Sequence, residues 1–486
     1  MGYIPYMIHF RENILTSRLA LAEPLKHLRR AWVEVEQTAR NRLTGKVRPS
    51  LPNDDLHLIR RKIDHCLSEA GGAASSRARA ASLGGDYLGL NVTGQQHFLR
   101  LLANDYAVPT TSLDAAIQTW LAANQEDGSE PHRTRLLAEQ GLRRTLRSPR
   151  VHLLTQFNAL PDGIKFLADM RARLLSIKNE TPALEAFDKE FKELLASWFD
   201  VGFLTLQRIT WDAPAALLEK LSAHEAVHPI RSWQDIKHRL SADDRCCYAF
   251  IHPQMPNDPL IFVWIALTNG MPNNIDELLR VDDQTLARDP TDTAVFYSIS
   301  ATQPGLHGVG FGSFLIKRVV DQLSLDHKQL RIFATLSPIP GFRSWLEKKS
   351  QLEVASQTDP LLTRHLEVIA ANGGIPQIFG DRTWLRDQAD NSTLRKSLLR
   401  LCAHYLIKER ATTGALDPVA NFHLSNGAAI EQLNWTADTS KKGQNEAAGI
   451  MVNYLYHLPN IETNHENYHT TGKIARTKKM AALLTE

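Results

Sequence analysis

Two side chains in the second half of the chain could carry out hydrogen-bonding and proton-transfer chemistry. Ser337 follows a run rich in β-branched and aromatic residues, 330–336, and the prolines at 338 and 340 restrict the backbone beside its hydroxyl. His423 lies shortly before Asn426-Gly427, a dipeptide typical of turns. A rigid hydroxyl can stabilise a developing negative charge, and an imidazole can transfer a proton near neutral pH. On residue type alone, each of the two is more commonly structural.

A glycine-dense loop lies between a strand-like run, 294–300, and an amphipathic helix pattern, 314–325. Alternating glycines let backbone N–H groups approach a ligand closely, and the following helix favours a phosphate at its N-terminus. The spacing fits neither a dinucleotide fingerprint nor a nucleoside-triphosphate loop. It resembles the Arg/Gln-x-x-Gly-x-Gly loop with which GNAT-type acyltransferases bind the pyrophosphate of coenzyme A. The residues predicted to bind coenzyme A are His307, Gly308, Val309, Gly310, Phe311, Gly312 and Ser313.

The second half of the chain also resembles the malonyl-CoA decarboxylase family. The resemblance is carried by eight strings that occur in the same order: 226–229, 296–300, 302–306, 314–320, 336–342, 421–424, 426–428 and 451–454. Eight ordered strings over more than 200 residues are far more specific than any single motif. The resemblance implies decarboxylation of malonyl-CoA to acetyl-CoA and carbon dioxide, with an enolate at the thioester as the intermediate.

The resemblance also implies roles for individual residues. Ser337 matches the catalytic serine of the family and His423 its catalytic histidine, so we expect Ser337 to donate a hydrogen bond and His423 to donate a proton. Tyr456 matches a tyrosine that lines the same site, where it would orient His423 or hold the carboxylate. One departure is Gly310, because the better-known animal enzymes have a glutamate there.

The resemblance implies no metal and no redox cofactor, since the thioester itself accepts the electron pair. It implies self-association to a dimer or tetramer. Two rival hypotheses remain at this stage: a coenzyme A-dependent acyltransferase and a non-catalytic acyl-CoA sensor. No Gly-x-Ser-x-Gly elbow accompanies the serine, so the sequence predicts that no covalent acyl-enzyme forms.

The sequence predicts an α+β protein with two domains. Residues 1–204 form the first, all-helical domain, expected to mediate oligomerisation, and residues 205–486 form a mixed α/β, GNAT-like catalytic domain. Apolar residues recur every three or four positions in the first part, which is typical of helices. The clearest helix predictions are 95–102, 112–123, 131–146, 164–177 and 182–199. Beyond the boundary, 246–251 and 260–267 are predicted strands joined by a hairpin connection.

Composition excludes several classes of protein. A formal net charge of +3 in 486 residues does not favour nucleic acid or an anionic membrane as a partner. The four cysteines show no C-x-x-C spacing, which favours reduced thiols in the cytoplasm. The longest apolar run, 260–267, is too short to span a bilayer. An organelle transit segment within residues 1–22 is a weaker alternative to the cytoplasmic location.

Two further features are weighed against function. Residues 465–469 read His-Glu-Asn-Tyr-His and fit the H-E-x-x-H zinc pattern, but the flanking residues predict no stable helix there, so no zinc site is expected. Lys317 and Arg318 follow the glycine loop and could meet coenzyme A phosphates, or could form a solvated basic face.

Overall fold

The computed structural model describes Trp32 and residues 47–68, 72–125, 131–280, 291–310, 312–351, 359–380, 393–412 and 414–485. The chain forms two compact units. The first contains the described residues up to Asp200 together with Gln303–Val309. The second contains Val201–Thr302 and the residues from Gly310 onward. The segment Gln303–Val309 therefore belongs to the helical unit, although the predicted boundary assigns all of it to the second domain.

The described part of the first unit is helical. Each of the five helices predicted most clearly is present, with ends shifted by a few residues. The helices are α1 (Asn53–Leu67), α2 (Ala73–Gly89), α3 (Val92–Asp105), α4 (Thr110–Ala123), α5 (Pro131–Thr145), α6 (Pro149–Asn158), α7 (Gly163–Leu175) and α8 (Pro182–Trp198). Their apolar faces pack together, and Phe98, Phe157 and Phe166 are almost fully buried.

The second unit is built on one mixed sheet of seven strands in the order β1-β2-β3-β4-β5-β7-β6. The strands are β1 (Thr205–Ile209), β2 (Arg245–Ile251), β3 (Pro259–Thr268), β4 (Thr293–Ala301), β5 (Ile332–Thr335), β6 (Ala429–Asn434) and β7 (Met451–Leu455). Neighbours are antiparallel except for β4 and β5. The predicted hairpin between β2 and β3 is confirmed, and so is the α+β fold class.

Helices lie between and after these strands. They are α9 (Ala215–His224), α10 (Trp233–Ser241), α11 (Ile275–Leu278), α12 (Gly312–Asp326), α13 (Phe342–Gln351), α14 (Pro360–Ala371), α15 (Gly374–Gly380), α16 (Thr393–Ile407), α17 (Pro418–Ser425), α18 (Lys441–Ala447), α19 (Ile461–Thr471) and α20 (Lys478–Ala482). One core cluster joins side chains of α9 and α10 to sheet residues that include Trp264 and Tyr297. None of the described helices is long and apolar enough to cross a membrane.

The parallel strands β4 and β5 are paired over only part of β4, and Ser337 lies just beyond the point where this pairing ends. Pairing extends only from Thr293↔Ile332 to Phe296↔Thr335, while β4 continues to Ala301. After Thr335 the chain pairs on its other side, because Ser337 exchanges backbone hydrogen bonds with Val452 of β7 at 2.9 and 3.0 Å. Ser337 is thus held by the sheet just beyond the end of β5.

Candidate active site

Three polar side chains form a buried chain of hydrogen bonds in the second unit. Ser337 Oγ lies 3.2 Å from Nε2 of His423, and Nδ1 of the same ring lies 2.8 Å from Tyr456 Oη. The three residues are 5%, 3% and 2% exposed, respectively. The structure therefore brings together the three catalytic candidates, which are as many as 119 positions apart in sequence.

Thr335 fixes the direction of the Ser337 proton. Ser337 Oγ donates to Thr335 Oγ1 at 2.8 Å, and the same threonine oxygen accepts the backbone N–H of Tyr454 at 3.1 Å. Since the serine proton is engaged with Thr335, the serine oxygen must accept a hydrogen from Nε2 of His423. The Tyr456 hydroxyl then donates to Nδ1, so the histidine is the Nε2–H tautomer.

Helix α17 carries His423, and a buried carboxylate caps the start of this helix. Asp417 Oδ1 accepts the N–H groups of Val419 and Ala420 at 3.0 and 2.9 Å. Proline at the first helical position and aspartate at the N-cap are both favoured at helix starts. The first turn of α17 is therefore fixed by residues adjacent in sequence.

The same carboxylate also contacts the segment that carries Ser337. Asp417 Oδ2 accepts the Gly341 N–H at 3.4 Å and the Tyr405 hydroxyl at 3.3 Å. Asp417 is fully buried, and burial raises its pKa to about 6, against the N–H groups of Ala420, Gly341 and Val419 that favour its charged form. One carboxylate thus joins the helix of His423 to the loop that follows Ser337.

Burial keeps His423 and Tyr456 neutral near pH 7. It lowers the pKa of His423 to about 3 and raises the pKa of Tyr456 well above its usual value. From the sequence we expect an imidazole with a pKa suited to proton transfer, whereas the buried imidazole of His423 is uncharged near pH 7. The proton that it can give is the one on Nε2.

Aromatic side chains pack against the imidazole ring of His423. The Tyr454 ring stacks on His423 with centroids 4.6 Å apart and planes 26° apart. Among the described residues, no hydrogen-bond partner reaches the buried Tyr454 hydroxyl. Tyr456 is fixed by a bond from its own N–H to Phe333 O at 2.8 Å and by the edge of Phe296, with ring centroids 6.1 Å apart. The imidazole therefore has little freedom to turn.

The predicted coenzyme A loop lies only partly within the described residues. His307, Gly308 and Val309 belong to the first unit, Gly310 belongs to the second, and Phe311 lies outside the described residues. The backbone of Gly312 and Ser313 forms the first turn of α12. No described atom lies within 4 Å of the position that a side chain at Gly310 would take, so the departure from glutamate leaves open space.

The two cations that follow the loop have partners within the second unit. Lys317 Nζ lies 2.6 Å from Glu462, and Arg318 donates to the Leu204 carbonyl at 2.8 Å. The Arg318 guanidinium also lies 5.5 Å from the centre of the Phe250 ring. These contacts favour the structural interpretation of both residues over phosphate binding.

The H-E-x-x-H motif lies on a helix, contrary to the sequence prediction. Residues 465–469 fall inside α19, and the rings of His465 and His469 are 4.4 Å apart. Pro459 and Asn460 precede the helix, and Asn464 lies within it without interrupting it. In the part of the chain that the structure describes, no group of three or more His, Cys, Asp or Glu side chains could hold a metal ion.

Sequence reasoning missed Thr335, Asp417 and Tyr454. Asp417-Pro418 is an N-cap signature that could have located the start of α17. Tyr454 lies within a string that carries the family resemblance. Thr335 had no comparable signal, since its function depends on strand pairing between distant segments.

Comparisons with known proteins cover most of the chain. The pattern of the malonyl-CoA decarboxylase C-terminal domain matches residues 202–486, and that of the malonyl-CoA decarboxylase N-terminal domain matches residues 106–199. The mitochondrial malonyl-CoA decarboxylase of Mus musculus is 37% identical over 365 residues, which are 72% of this chain and 74% of the relative. That of Anser anser anser is 37% identical over 371 residues, 72% of each chain.

Two solved structures are similar along almost their whole length. The crystal structure of malonyl-CoA decarboxylase from Rhodopseudomonas palustris is 36% identical with a TM-score of 0.77, covering 88% of this chain and 98% of that one. The enzyme from Agrobacterium vitis is 38% identical with a TM-score of 0.77, covering 88% and 100%. Similarity in sequence and in fold thus extends over both units.

Proposed function

The chain belongs to the malonyl-CoA decarboxylase family, and on that premise we propose that it is a carboxy-lyase that converts malonyl-CoA to acetyl-CoA and carbon dioxide at the site formed by Ser337, His423 and Tyr456. The observation that carries the proposal is the buried hydrogen-bond chain in which His423 lies between two hydroxyl groups. It offers N–H and O–H donors on side chains that are almost fully buried. Such donors are strongest where the surroundings are dry.

The reaction breaks the bond between the α-carbon and the carboxylate. As carbon dioxide leaves, the electron pair of that bond enters the thioester, and negative charge collects on its oxygen. We assign Ser337 to the hydrogen bond that stabilises the substrate carboxylate or the developing enolate. To serve as donor, its proton must turn from Thr335 to the substrate when the substrate binds. Removing one such donor typically costs about 10²- to 10³-fold in rate.

His423 then supplies the proton that converts the enolate to the methyl group of acetyl-CoA. The Nε2–H faces the side of Ser337, and Tyr456 supports the ring from Nδ1. A substrate carboxylate beside the buried imidazole raises its pKa, so the ring takes up a proton from solvent at Nδ1 as the substrate binds and becomes neutral again when Nε2–H protonates the enolate. The Tyr456 hydroxyl accepts the hydrogen on Nδ1 in that charged state. Proton transfer by a positioned side chain contributes about 10²- to 10⁴-fold.

We also propose that residues 307–313 bind the coenzyme A phosphates. Gly308 has a positive φ of 74°, a conformation that favours glycine, and its N–H has no acceptor among the described residues. Free backbone N–H groups are suitable donors for phosphate oxygens. Gly310 has no side-chain carboxylate, so no step of this mechanism uses one there.

The thioester can itself accept the electron pair, so we propose that the reaction needs no metal and no redox cofactor.

We propose that the enzyme is a homo-oligomer, a dimer or tetramer, and that it works in the cytoplasm. All four cysteines are buried and unpaired, which fits a reducing compartment. The vertebrate relatives bear the word mitochondrial in their names, so fractionation of the native host is the test of location.

The test of function is release of carbon dioxide and acetyl-CoA from malonyl-CoA by purified protein treated with a chelator. His423→Asn is the comparison, because asparagine retains polarity without an ionisable ring. We expect equal amounts of both products from the wild type and a loss of about 10²-fold or more in the variant. The circular dichroism spectrum of the variant serves as the folding control.

Other outcomes identify other functions. Transfer of an acyl group to an amine without carbon dioxide would indicate a coenzyme A-dependent acyltransferase. Binding of malonyl-CoA without any product, even at high protein concentration, would indicate an acyl-CoA sensor. Activity lost on chelation and restored by a metal would refute the metal-free mechanism.

A further inference from the structure

The helical unit carries a cluster of positive charge around the first half of the glycine loop. His307 interacts with four charged groups, Lys178, Arg171, Asp188 and Lys192. Three of the four are cations. Partial desolvation, followed by the charges of Lys178 and Arg171, lowers the pKa of His307, so the ring stays neutral near pH 7. The excess positive charge is therefore available to an anion.

Arg171 gives this part of the loop its shape. The guanidinium is 1% exposed and donates to the carbonyl of Gly305 at 2.7 Å and to that of His307 at 2.9 Å. Its Nε also binds Asp188 Oδ1 at 2.8 Å. Because Arg171 binds the carbonyls of Gly305 and His307, it fixes the backbone that leads into the turn at Gly308. Burying a guanidinium costs desolvation free energy. Here the buried group stabilises one conformation of the loop.

The cations are not equally engaged. Asp188 is shared between Arg171 and Lys178, whose Nζ lies 3.5 Å from Asp188 Oδ2. Lys192 is exposed and forms no ion pair with any described residue. A Cβ placed on Gly308 would lie 3.6 Å from both Cε and Nζ of Lys192. The Lys192 ammonium group thus lies beside the backbone of Gly308, whose N–H has no acceptor among the described residues.

We propose that Lys192 on helix α8 is a phosphate-binding residue for the coenzyme A part of the substrate, acting together with the Gly308 N–H. The inference rests on the proposed function and extends it, because it gives the helical unit a part in substrate binding besides self-association. An ammonium group and a backbone N–H are complementary to the oxygens of one phosphate group. Lys178 adds long-range attraction, partly neutralised by Asp188.

The test compares substrates with and without phosphate groups. Lys192→Met removes the charge and keeps the length of the side chain. With malonyl-CoA we expect KM to rise about tenfold while kcat stays within about twofold, since a charge-assisted contact at an exposed site is lost. With malonyl-pantetheine, which has no phosphate, we expect no change in kcat/KM. Lys192→Arg should restore most of the KM for malonyl-CoA.

Lys328→Met is the matched control, because Lys328 is also exposed and forms no ion pair with any described residue. It should leave both substrates unaffected. An equal rise in KM for malonyl-pantetheine, or no rise for malonyl-CoA, would overturn the assignment of Lys192. Titration calorimetry with coenzyme A itself separates this inference from the proposed function. Weaker binding to Lys192→Met would support the phosphate site even if the wild type released no carbon dioxide, and unchanged binding would refute it.

Discussion

Thr335 Oγ1 accepts the hydroxyl proton of Ser337 at 2.8 Å, and this bond turns the serine proton away from His423. A nucleophilic serine would present its proton to the histidine base instead. In this arrangement the serine oxygen accepts from Nε2–H, so the histidine is not poised to remove a proton from the serine. This arrangement supports the proposal that the pair gives hydrogen bonds and a proton to the substrate.

Thr335→Val should impair the chemical step more than substrate binding. Valine has nearly the same shape but leaves the Ser337 hydroxyl and the Tyr454 N–H without their acceptor. We expect kcat to fall about tenfold with little change in KM, and the free energy of unfolding to fall by about 1–3 kcal/mol. Steady-state kinetics and urea denaturation measure the two effects.

Two variants distinguish a site effect from general destabilisation. Thr335→Ser keeps the hydroxyl and should recover most of the activity. Thr293→Val removes another fully buried threonine hydroxyl, which donates to Asp292 at 2.7 Å, and should lower stability without lowering kcat. Equal loss of kcat in Thr335→Val and Thr293→Val would mean that the Thr335 bond has no special part in catalysis.

Two tyrosines that contact His423 should respond differently to loss of the hydroxyl. Tyr456→Phe removes the donor to Nδ1, which lets the ring adopt the other tautomer, so we expect kcat to fall about tenfold or more. Tyr454→Phe keeps the stacked ring and removes a buried hydroxyl that has no described partner. Its kcat should stay within about twofold of the wild type, with stability unchanged or higher.

NMR of ¹⁵N-labelled histidine reads the tautomer directly. The His423 signals should indicate Nε2–H in the wild type and in Tyr454→Phe, and a mixture in Tyr456→Phe. A wild-type enzyme with the proton on Nδ1 would contradict the assigned direction of the hydrogen-bond chain.

Protonation of Asp417 should cause the loss of enzyme activity at acid pH. Its pKa is raised from the ordinary 3.8 to about 6, so the carboxyl becomes protonated as the pH falls through about 6. Its neighbours do not titrate there, because burial raises the pKa of the Tyr405 hydroxyl and of the Cys402 thiol, and the remaining contacts are N–H groups. Burial lowers the pKa of His423 to about 3, so it also stays neutral near pH 6.

We therefore expect kcat/KM, which reports the ionisable groups of the free enzyme, to decline below pH 6 as the link between Gly341 and α17 weakens. The sign for stability is opposite: because the folded-state pKa is raised, this carboxyl stabilises the fold below about pH 4, and that contribution is lost as the pH rises through about 6. Asp417→Asn should be less active, by up to about 10²-fold, and its activity should not decline as the pH falls through 6. An unchanged decline in the variant would assign it to another group.

Gly341 is required by close packing rather than by backbone conformation. A Cβ at this position would lie 2.1 Å from Tyr405 Oη and 3.2 Å from Cζ. Gly341→Ala should therefore destabilise the protein by about 1–3 kcal/mol and reduce kcat. Tyr405→Phe removes the clashing oxygen, so the double variant should recover much of the stability. No recovery in the double variant would show that the clash is with something other than this hydroxyl.

The sequence predicted the framework well because local patterns determine it. Strands β2, β3 and β4 were located to within a residue or two by their apolar and β-branched runs. The turn signal at Asn426-Gly427 was correct, yet it left open whether His423 ends a strand or a helix. Helix α17 has only eight residues, too few for a periodic pattern to decide.

The supports of the site could not be predicted in the same way. Thr335 meets the Tyr454 N–H only because β5 and β7 lie side by side, a contact across 119 residues. Asp417 meets Gly341 across 76 residues. The family resemblance predicted which residues react, and the fold was needed to find which residues contact and hold them. The proposed roles of Ser337, His423 and Tyr456 stay predictions until the variants are measured.

The most direct test is a single-turnover, rapid-quench experiment with wild-type enzyme and malonyl-CoA, followed by mass spectrometry of the peptide that contains Ser337. We predict that carbon dioxide and acetyl-CoA appear in step while this peptide keeps its unmodified mass at every time point. An acyl group on Ser337 that forms and decays at the rate of turnover would contradict the account, because Ser337 would then be a nucleophile and His423 its base.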